Sequence, residues 1–527
     1  MPYRLSSTLI FCFCIILCRN SRGQSPATVH GGEIIYHVFE RSFYDSNGDQ
    51  IGDLNGLREK LGYLQSLGVN AILMVPIYES DFYHNYFAKN FEKIDPTLGS
   101  MSDYIRLVRA VHRRGMKIYM DMETQYVTGK HLWFRDAYRN PGSKYSHYLV
   151  WDDSAHTRPE PALYNIGKLH SYDGSVHRVA TVNLYSKKVL AYNIRLFSYW
   201  ADPNHDGKFD DGVDGFRLDH MMDNLDGKGI LTNLFHRFWT PLIQAVKKVN
   251  PGIIFFAEQA NWNSFGFGYL SRGSVDRVFD FRLRMAIASF NKAAIEAAAD
   301  TSLEMTPRGK QQVVFIENHD LPRFASVVGK SLPKEKIGGA FNLLIGGIPS
   351  IYYGQELGMF GGFERYGNTD GNDIPKREAF EWYKSDTGKG MAIWYKNSGP
   401  WWDHTNLIPN DGISLEEEKN KPGSLWTFYH NLIRIRQSQP ALWKGSYQPL
   451  PNDNDSVYSF IRTWGKQEDI VVINLSGESQ EVSVNCGHCR FRPHRLQSLY
   501  GRQHPLVNGN KFTVRLPGFA INLWKVE

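Results

Sequence analysis

Short runs of β-branched and aromatic residues alternate with amphipathic stretches from about residue 33 to residue 440, and this alternation restricts the fold more than any other feature. The runs that predict strands are Ile34–Phe39, Ala71–Pro76, Lys117–Met122, Val213–Asp219, Ile253–Glu258, Val275–Phe281, Val313–Asn318 and Ser350–Tyr353. The stretches between them predict helices, such as the leucine repeat that ends before Gly68. The pattern favours an α/β fold, a closed (β/α)₈ TIM barrel with functional residues at the C-terminal ends of its strands. An open doubly wound sheet is the alternative, but the glycine-rich loop that usually follows its first strand is missing.

Two segments depart from this alternation and predict further domains. After the third strand about 65 residues intervene, which is too long for an ordinary βα loop, and they are rich in Trp and Tyr. We interpret residues 122–188 as a domain inserted into the barrel of residues 25–440, overhanging the barrel mouth. Ser424 predicts the cap of a last helix, and from about residue 441 apolar and polar residues alternate. Residues 441–527 are therefore predicted to form a C-terminal all-β sandwich domain.

The N-terminus has the pattern of a targeting segment. Arg4 precedes the apolar run Leu9–Leu17, which is too short to span a bilayer but suits the core of a signal peptide. Residues 1–24 are therefore predicted to be a signal peptide, and the protein to be secreted or periplasmic. Cys18 closes the apolar run, which leaves a bacterial lipoprotein anchor as an alternative. No later stretch has the length and apolarity of a membrane span.

Cysteine content and charge narrow the chemistry further. Beyond the predicted signal peptide only Cys486 and Cys489 remain, and without a second ligand pair or a thioredoxin-like context we predict a small-loop disulfide. The formal net charge is +6, and the sequence contains no Lys/Arg run of the kind that binds along a phosphate backbone. Nucleic acid is therefore not a predicted partner. Aromatic residues make up 14% of the chain, which fits either a large core or a groove that stacks on sugar rings.

Three predicted strand ends present carboxylates. Alternation along the fourth strand puts Arg217 and Asp219 on one side, so the cation would hold the carboxylate ionised, as a nucleophile requires. Glu258 ends an apolar run that would raise its pKa, as a general acid requires, and Asp320 follows the seventh strand. Taken singly, such acids often cap helices or pair with cations. Together they are the equipment for cleaving a glycosidic bond.

Several motifs match a known family. They are Gly212–Asp219, Phe256–Glu258, Phe315–Asp320, Tyr36–Phe39 and Tyr353–Glu356. These segments resemble signatures of the α-amylase family, glycoside hydrolase family 13, and the sequence is closer to its oligosaccharide-active, neopullulanase-like members. The resemblance implies a retaining α-glycoside hydrolase that acts on starch-derived α-glucans or oligosaccharides. Rival hypotheses are a transglycosylase or isomerase on the same scaffold and a barrel that binds glucan without cleaving it.

The resemblance also implies roles for individual residues. Asp219 would be the nucleophile, Glu258 the acid/base and Asp320 the transition-state stabiliser. Residues implied to contact the first sugar are Arg217, His319 and Tyr86. The sequence departs from the family where an Asn-His pair is usual, since it has Gln125-Tyr126. His84-Asn85-Tyr86-Phe87 and Ala180-Thr181-Val182-Asn183 also differ from the usual segments, which leaves the substrate open.

One loop predicts a structural Ca²⁺ site. Its oxygen ligands would be Asp45, Asn47, Asp49, the Ile51 carbonyl and Asp53, and it resembles the calcium loop after strand one in oligosaccharide-active family members.

A second run, 202–211, has similar spacing. For both loops the alternative is a solvated turn, because Asp, Asn and Gly favour turns. The family's more widespread calcium site is predicted to be absent, because Gln125 and Thr181 occupy its Asn and Asp positions.

Overall fold

The computed structural model describes residues 32–487, 489 and 495–527. Its barrel strands, numbered in chain order, are β1 (Ile35–Val38), β2 (Ala71–Met74), β3 (Lys117–Met122), β4 (Gly215–Met221), β5 (Ile254–Gln259), β6 (Arg277–Phe279), β7 (Gln311–Val314) and β8 (Ile348–Tyr352). Each strand pairs in parallel with the next, and β8 pairs with β1. The predicted closed barrel is confirmed, and each predicted strand overlaps an observed one.

Helices lie between the barrel strands, within the inserted segment and after β8. They are Leu54–Glu59, Leu61–Leu67, Met101–Arg113, Leu132–Ala137, Lys187–Ala201, Thr240–Val249, Phe267–Ser271, Phe281–Ser289, Lys292–Glu304, Phe324–Val327, Leu332–Leu344, Pro400–Asp403, Leu415–Glu418, Leu425–Ser438 and Pro440–Lys444. Shorter 3₁₀ or π turns are Glu40–Ser42, Ser146–Tyr148, Leu163–Asn165, Leu225–Gly227, Phe235–Trp239, Gln355–Leu357 and Asp370–Lys376. The predicted leucine repeat forms two consecutive helices, and Gly68 ends the second with φ of 104°, a conformation that glycine adopts without strain. Ser424 caps the last long helix as predicted, accepting a hydrogen bond from the Thr427 N–H.

A small sheet lies beside the barrel mouth. Its strands are Tyr78–Ser80, Ala88–Ile94, Tyr126–Thr128, Val176–Thr181 and Lys168–His170. Three of them belong to the predicted inserted segment. The other two come from the loop after β2, which the sequence did not single out. The wall over the barrel mouth is therefore built from two βα loops, and Tyr86 lies between the two additional strands.

The C-terminal region is all-β, as predicted. Its strands are Ser446–Pro449, Val457–Trp464, Gln467–Asn474, Gln480–Asn485, Leu496–Tyr500, Leu506–Asn508, Lys511–Leu516 and Ile521–Val526. They form an antiparallel five-stranded sheet and an antiparallel three-stranded sheet. Phe512 and Trp524 pack against each other, with ring centroids 5.7 Å apart, in a core shared by the two sheets.

The predictions on cysteine and targeting have different outcomes. Cys486 and Cys489 are free thiols, the first buried and the second half-buried, so the predicted disulfide is wrong. The predicted signal peptide and Cys18 lie outside the described residues. Within the part of the chain that is described, no helix combines the length and apolarity needed to cross a membrane.

Candidate active site

Four acidic side chains meet around one arginine at the C-terminal end of the barrel. Arg217 Nη1 contacts Asp121 and lies 2.7 Å from Asp219 Oδ1. Its Nη2 lies 3.1 Å from Glu258 Oε2 and 4.0 Å from Asp320 Oδ2. Arg217 is 1% exposed, so its charge acts on all four carboxyls with little screening by water. Asp219, Glu258 and Asp320, the three carboxyls predicted to act together, therefore all lie around the guanidinium of Arg217.

The ends of β4 and β5 position two of these acids. Because side chains alternate along a strand, Arg217 and Asp219 point to the same side of β4. His220 follows with φ of 46°, and its backbone N–H donates to Glu258 Oε2 at 3.0 Å. The register between β4 and β5 shifts at Glu258, between Ala257 and Gln259. This irregularity directs the Glu258 carboxyl toward β4.

The predicted sugar-contacting residues lie beside the acids. The Tyr86 hydroxyl donates to Asp121 Oδ2 at 2.7 Å and lies 2.8 Å from His319 Nε2. Burial, together with the nearby His37 and the cations Arg217, Arg377 and Lys376, lowers the pKa of His319, so its imidazole is neutral. The Tyr86 and His319 rings stack at 18° with centroids 5.7 Å apart. Both rings therefore have fixed orientations.

Two cations that the sequence did not single out hold Asp320. Arg377 Nη2 lies 3.3 Å from Asp320 Oδ1, and its Nε donates to the His319 carbonyl at 2.9 Å. Lys376 Nζ donates to the Asp320 carbonyl at 2.8 Å. Both lie at the C-terminal end of the 3₁₀ turn Asp370–Lys376 after β8, where neither periodicity nor a motif marks a residue as functional. Their charges were visible in the sequence, but their proximity to Asp320 depends on barrel closure.

The electrostatics of the two central carboxyls differ from the sequence prediction. Burial and the neighbouring Glu258 raise the pKa of Asp219 well above its usual range, against the effect of Arg217. Although burial alone would raise it, the pKa of Glu258 is lowered, by Arg217, by the His220 N–H and by the hydrogen bond with Asp219. The apolar strand that led us to predict a raised pKa for Glu258 does not surround its carboxyl. Two such carboxyls titrate as a pair.

A cavity of about 450 Å³ opens onto these residues. Asp219, Glu258 and Asp320 line it, together with Tyr86 and Trp262. A cavity lined by both carboxyls and aromatic rings suits a sugar, whose hydroxyls bind charged groups and whose flat faces pack on rings.

Two of the three family departures, those at Gln125 and Thr181, have defined partners. Gln125 Nε2 donates to the backbone carbonyls of Asp219, at 2.5 Å, and of His220, at 3.1 Å. Thr181 Oγ1 donates to the Pro161 carbonyl at 2.7 Å. Gln125 thus ties the loop after β3 to the end of β4. Next to it lies the buried carboxyl of Glu123, whose pKa burial raises to about 8.

The predicted calcium loop follows β1 and curls through successive side-chain-to-backbone hydrogen bonds. Asp45 accepts the N–H groups of Asn47, Gly48 and Gln50. Asp53 also accepts the Gly56 N–H, as the cap of the following helix. Across the described residues, no group of three acidic, His or Cys side chains is gathered tightly enough to hold a metal ion. Asp45 Oδ2 and Asp49 Oδ1 each accept one N–H and keep a second lone pair, whereas Asp45 Oδ1 and both Asp53 oxygens accept two hydrogen bonds.

Comparison with known families shows the family to which the chain belongs. The profile described as "Alpha amylase, catalytic domain" matches residues 37–445. The chain belongs to the α-amylase family. The profile described as "Maltogenic Amylase, C-terminal domain" matches residues 447–523, next to it. The resemblance read from the motifs is confirmed, and this α-amylase family chain is an enzyme of the glycoside hydrolase class.

Relatives and solved structures agree with that assignment. The chain is 27% identical over 495 residues to Alpha-amylase 3 of Dictyoglomus thermophilum, covering 92% of this chain and 93% of that protein. It is 26% identical over 529 residues to a trehalose synthase/amylase of Mycolicibacterium smegmatis, covering 86% and 85% of the two chains. The crystal structure of an α-amylase from H. orenii matches with a TM-score of 0.78 at 26% identity, covering 94% of this chain and 100% of that one. The relatives' names thus include both hydrolases and a synthase.

Proposed function

We propose that this family member is a retaining α-glycoside hydrolase that acts on starch-derived α-glucans or related oligosaccharides. The observation that carries the proposal is the bridging of Asp219 and Glu258 by the two nitrogens of one guanidinium, at 2.7 and 3.1 Å. Carboxyls this close favour the retaining arrangement, with a separation of about 5–5.5 Å, over the inverting one, with about 6.5–9.5 Å.

The chemistry proceeds in two displacements. Asp219 Oδ attacks the anomeric carbon while the bond to the leaving oxygen breaks and Glu258 donates its proton to that oxygen. A covalent glycosyl-enzyme results. Glu258, now ionised, removes a proton from water, whose oxygen attacks the anomeric carbon and releases Asp219. Asp320, held by Arg377 and Lys376, binds sugar hydroxyls more tightly as the ring flattens.

The pH profile is expected to be bell-shaped. The raised pKa of Asp219 and the lowered pKa of Glu258 belong to one pair that carries a single proton between its two pKa values. Below the lower value both carboxyls are protonated and no nucleophile remains, and above the higher value neither can donate a proton. Activity requires that the shared proton lie on Glu258 once the glycosidic oxygen is beside it. Measuring kcat/KM against pH tests this, and a profile with a single limb would contradict it.

Product analysis tests the proposal itself. Purified enzyme is incubated with soluble starch, pullulan and maltooligosaccharides, and released reducing ends and products are measured by chromatography. New reducing ends with retained anomeric configuration are expected. Products without a gain of reducing ends would favour the isomerase or transferase alternative, which the synthase among the relatives makes the second candidate. The absence of any turnover, together with glucan binding, would favour a non-catalytic barrel.

We also propose that Ca²⁺ braces the loop after β1 through Asp45, Asn47, Asp49, the Ile51 carbonyl and Asp53. The alternate spacing of these oxygens and the curled loop support the proposal, and the ion would take no part in bond cleavage. Chelation is expected to lower the Tm, since a ligand bound only to the folded state stabilises it. In Asp49→Ala, chelation should lower the Tm by less than it does in wild type, because this loop no longer contributes a bound ion. If chelation leaves the Tm unchanged and metal analysis finds no calcium, the loop is only a turn.

Export is part of the same proposal. The pattern of residues 1–24 supports a cleaved signal peptide, and Cys18 supports lipid attachment as the alternative. N-terminal sequencing of the mature protein separates the two, with a start near residue 25 expected for cleavage without a lipid anchor.

A further inference from the structure

A thirteen-residue loop, residues 202–214, connects the C-terminus of helix Lys187–Ala201 to β4, and acidic and amide side chains make the turns in its first part. Asp202 Oδ2 accepts the Gly207 N–H at 2.9 Å. Asn204 Oδ1 accepts the Asp206 N–H at 2.8 Å, and Asp206 Oδ1 accepts the Lys208 N–H at 2.9 Å. These bonds curl the backbone into successive tight turns.

Buried carboxylate oxygens in this loop lack hydrogen-bond partners. Asp211 is 1% exposed, and neither of its carboxylate oxygens accepts a hydrogen bond from any described group. Asp202 is 7% exposed, and its Oδ1 is also without one. Arg109 offers only long ion pairs, with Nη2 3.6 Å from Asp211 Oδ2 and Nε 3.9 Å from Asp210 Oδ2. Burying bare carboxylate oxygens is costly unless a cation satisfies them.

The surrounding charges make the need for a cation stronger. The charged neighbours of Asp211 are the acids Asp210, Asp202 and Asp206, and the cation nearest to it, Arg109, is 3.6 Å away. Asp202 is also the C-cap of its helix, where the negative end of the helix dipole disfavours an anion and favours a cation.

The loop matches the ligand spacing of an EF-hand calcium loop. That loop takes side-chain ligands from positions 1, 3 and 5 and a backbone carbonyl from position 7, with glycine at position 6. Counting from Asp202, these positions hold Asn204, Asp206, Gly207 and Lys208, and Gly207 has φ of 74°. The last carboxylate differs, because Asp211 stands at position 10 instead of a Glu at position 12.

We propose that this loop binds one Ca²⁺ through Asp202, Asn204, Asp206, the Lys208 carbonyl and Asp211. Asp206 must turn inward, since in the described structure three carboxylates do not yet surround one point. Its Oδ2 pairs with the exposed Lys208 Nζ at 3.0 Å, and water screens such pairs. Mg²⁺ fits less well because it demands near-octahedral geometry and keeps its waters.

The site would fix how β4 enters the barrel. A Cβ on Gly212 would lie 2.1 Å from the backbone of Ala201, so the loop end lies directly against the helix end. The next residue, Val213, donates its N–H to the Trp200 carbonyl and the Tyr104 hydroxyl. A cation at this junction therefore joins the helix end to the strand that carries Arg217 and Asp219. The proposal does not depend on which glycosidic bond is cleaved.

Calcium stoichiometry of the full-length protein tests the proposal. Wild type, Asp206→Ala and Asp211→Asn are equilibrated with CaCl₂, passed through calcium-free buffer and measured by elemental analysis. Asp153→Asn is the matched control, since Asp153 makes a similar turn in the inserted domain by accepting the Thr157 and Arg158 N–H groups. Asp49→Ala reports separately on the loop after β1.

Asp206→Ala and Asp211→Asn are each expected to lose one Ca²⁺ per chain, or to bind it more than about tenfold more weakly, whereas Asp153→Asn matches wild type. A double variant of Asp49→Ala and Asp206→Ala should lose both ions. If Asp206→Ala and Asp211→Asn keep as much calcium as Asp153→Asn, Arg109 alone compensates Asp211 and the proposal is wrong. Should Asp211→Asn fail to fold by circular dichroism, Asp206→Ala, which changes an exposed side chain, decides the question.

Discussion

The Asp219→Asn variant is expected to lose turnover by about 10⁴-fold or more, as when the nucleophile of a covalent mechanism is removed. Asparagine has nearly the same shape and can keep the contact with Arg217, but its amide cannot form the glycosyl-enzyme. The loss should appear in kcat on a chromogenic maltoside, while glucan binding measured by calorimetry is retained. Binding without turnover would show that the fold and the cavity survive the substitution.

Two results would contradict this prediction. If Asp219→Asn keeps kcat within about tenfold of wild type, Asp219 is not the nucleophile. If wild type is equally inactive but binds glucan, the chain is a glucan-binding barrel. The inactivity of Asp219→Asn then says nothing about a nucleophile. Asp153→Asn, which replaces a carboxylate in a turn of the inserted domain, controls for the general effect of removing an acidic charge.

The barrel could be predicted because its information is local. Each strand is a short apolar run, and parallel order follows from the alternation with helices. Asp219, Glu258 and Asp320 were found because each ends or follows such a strand. The strand Ala88–Ile94 was missed because its exposed residues alternate imperfectly with buried ones, and it becomes a strand only through pairing with neighbours.

The remainder of the site depends on contacts distant in sequence. Arg377 reaches Asp320 across 57 positions of the chain, and Gln125 reaches the Asp219 carbonyl across 94. The lowered pKa of Glu258 likewise arises from Arg217 on another strand and from the His220 N–H. Sequence gives the type of each group, but its partner is fixed by closure of the barrel. Closeness in sequence can also mislead: the spacing of Cys486 and Cys489 suggested a disulfide, but both are free thiols.

Replacing the proposed acid should produce an effect that depends on the leaving group. Glu258→Gln is expected to slow glycosylation by substrates with poor leaving groups by about 10²–10⁴-fold, because Gln can accept the His220 N–H but has no proton to donate. Activated aryl glycosides need little protonation, so the same step should slow far less with them. The step is isolated by measuring the burst of released phenol, because deglycosylation also needs Glu258 as a base.

Glu123→Gln provides the matched control for this prediction. Glu123 is a second buried carboxyl that lines the cavity, and burial raises its pKa to about 8, so near neutral pH it also carries a proton. Its two oxygens accept the N–H groups of Phe87 and Tyr126. We therefore assign Glu123 the role of positioning the loops that carry these two residues. Any slowing in Glu123→Gln should therefore be the same for both classes of leaving group. If Glu258→Gln also slows the two substrates equally in the glycosylation step, protonation of the leaving oxygen comes from another group, and Glu258 is not the acid.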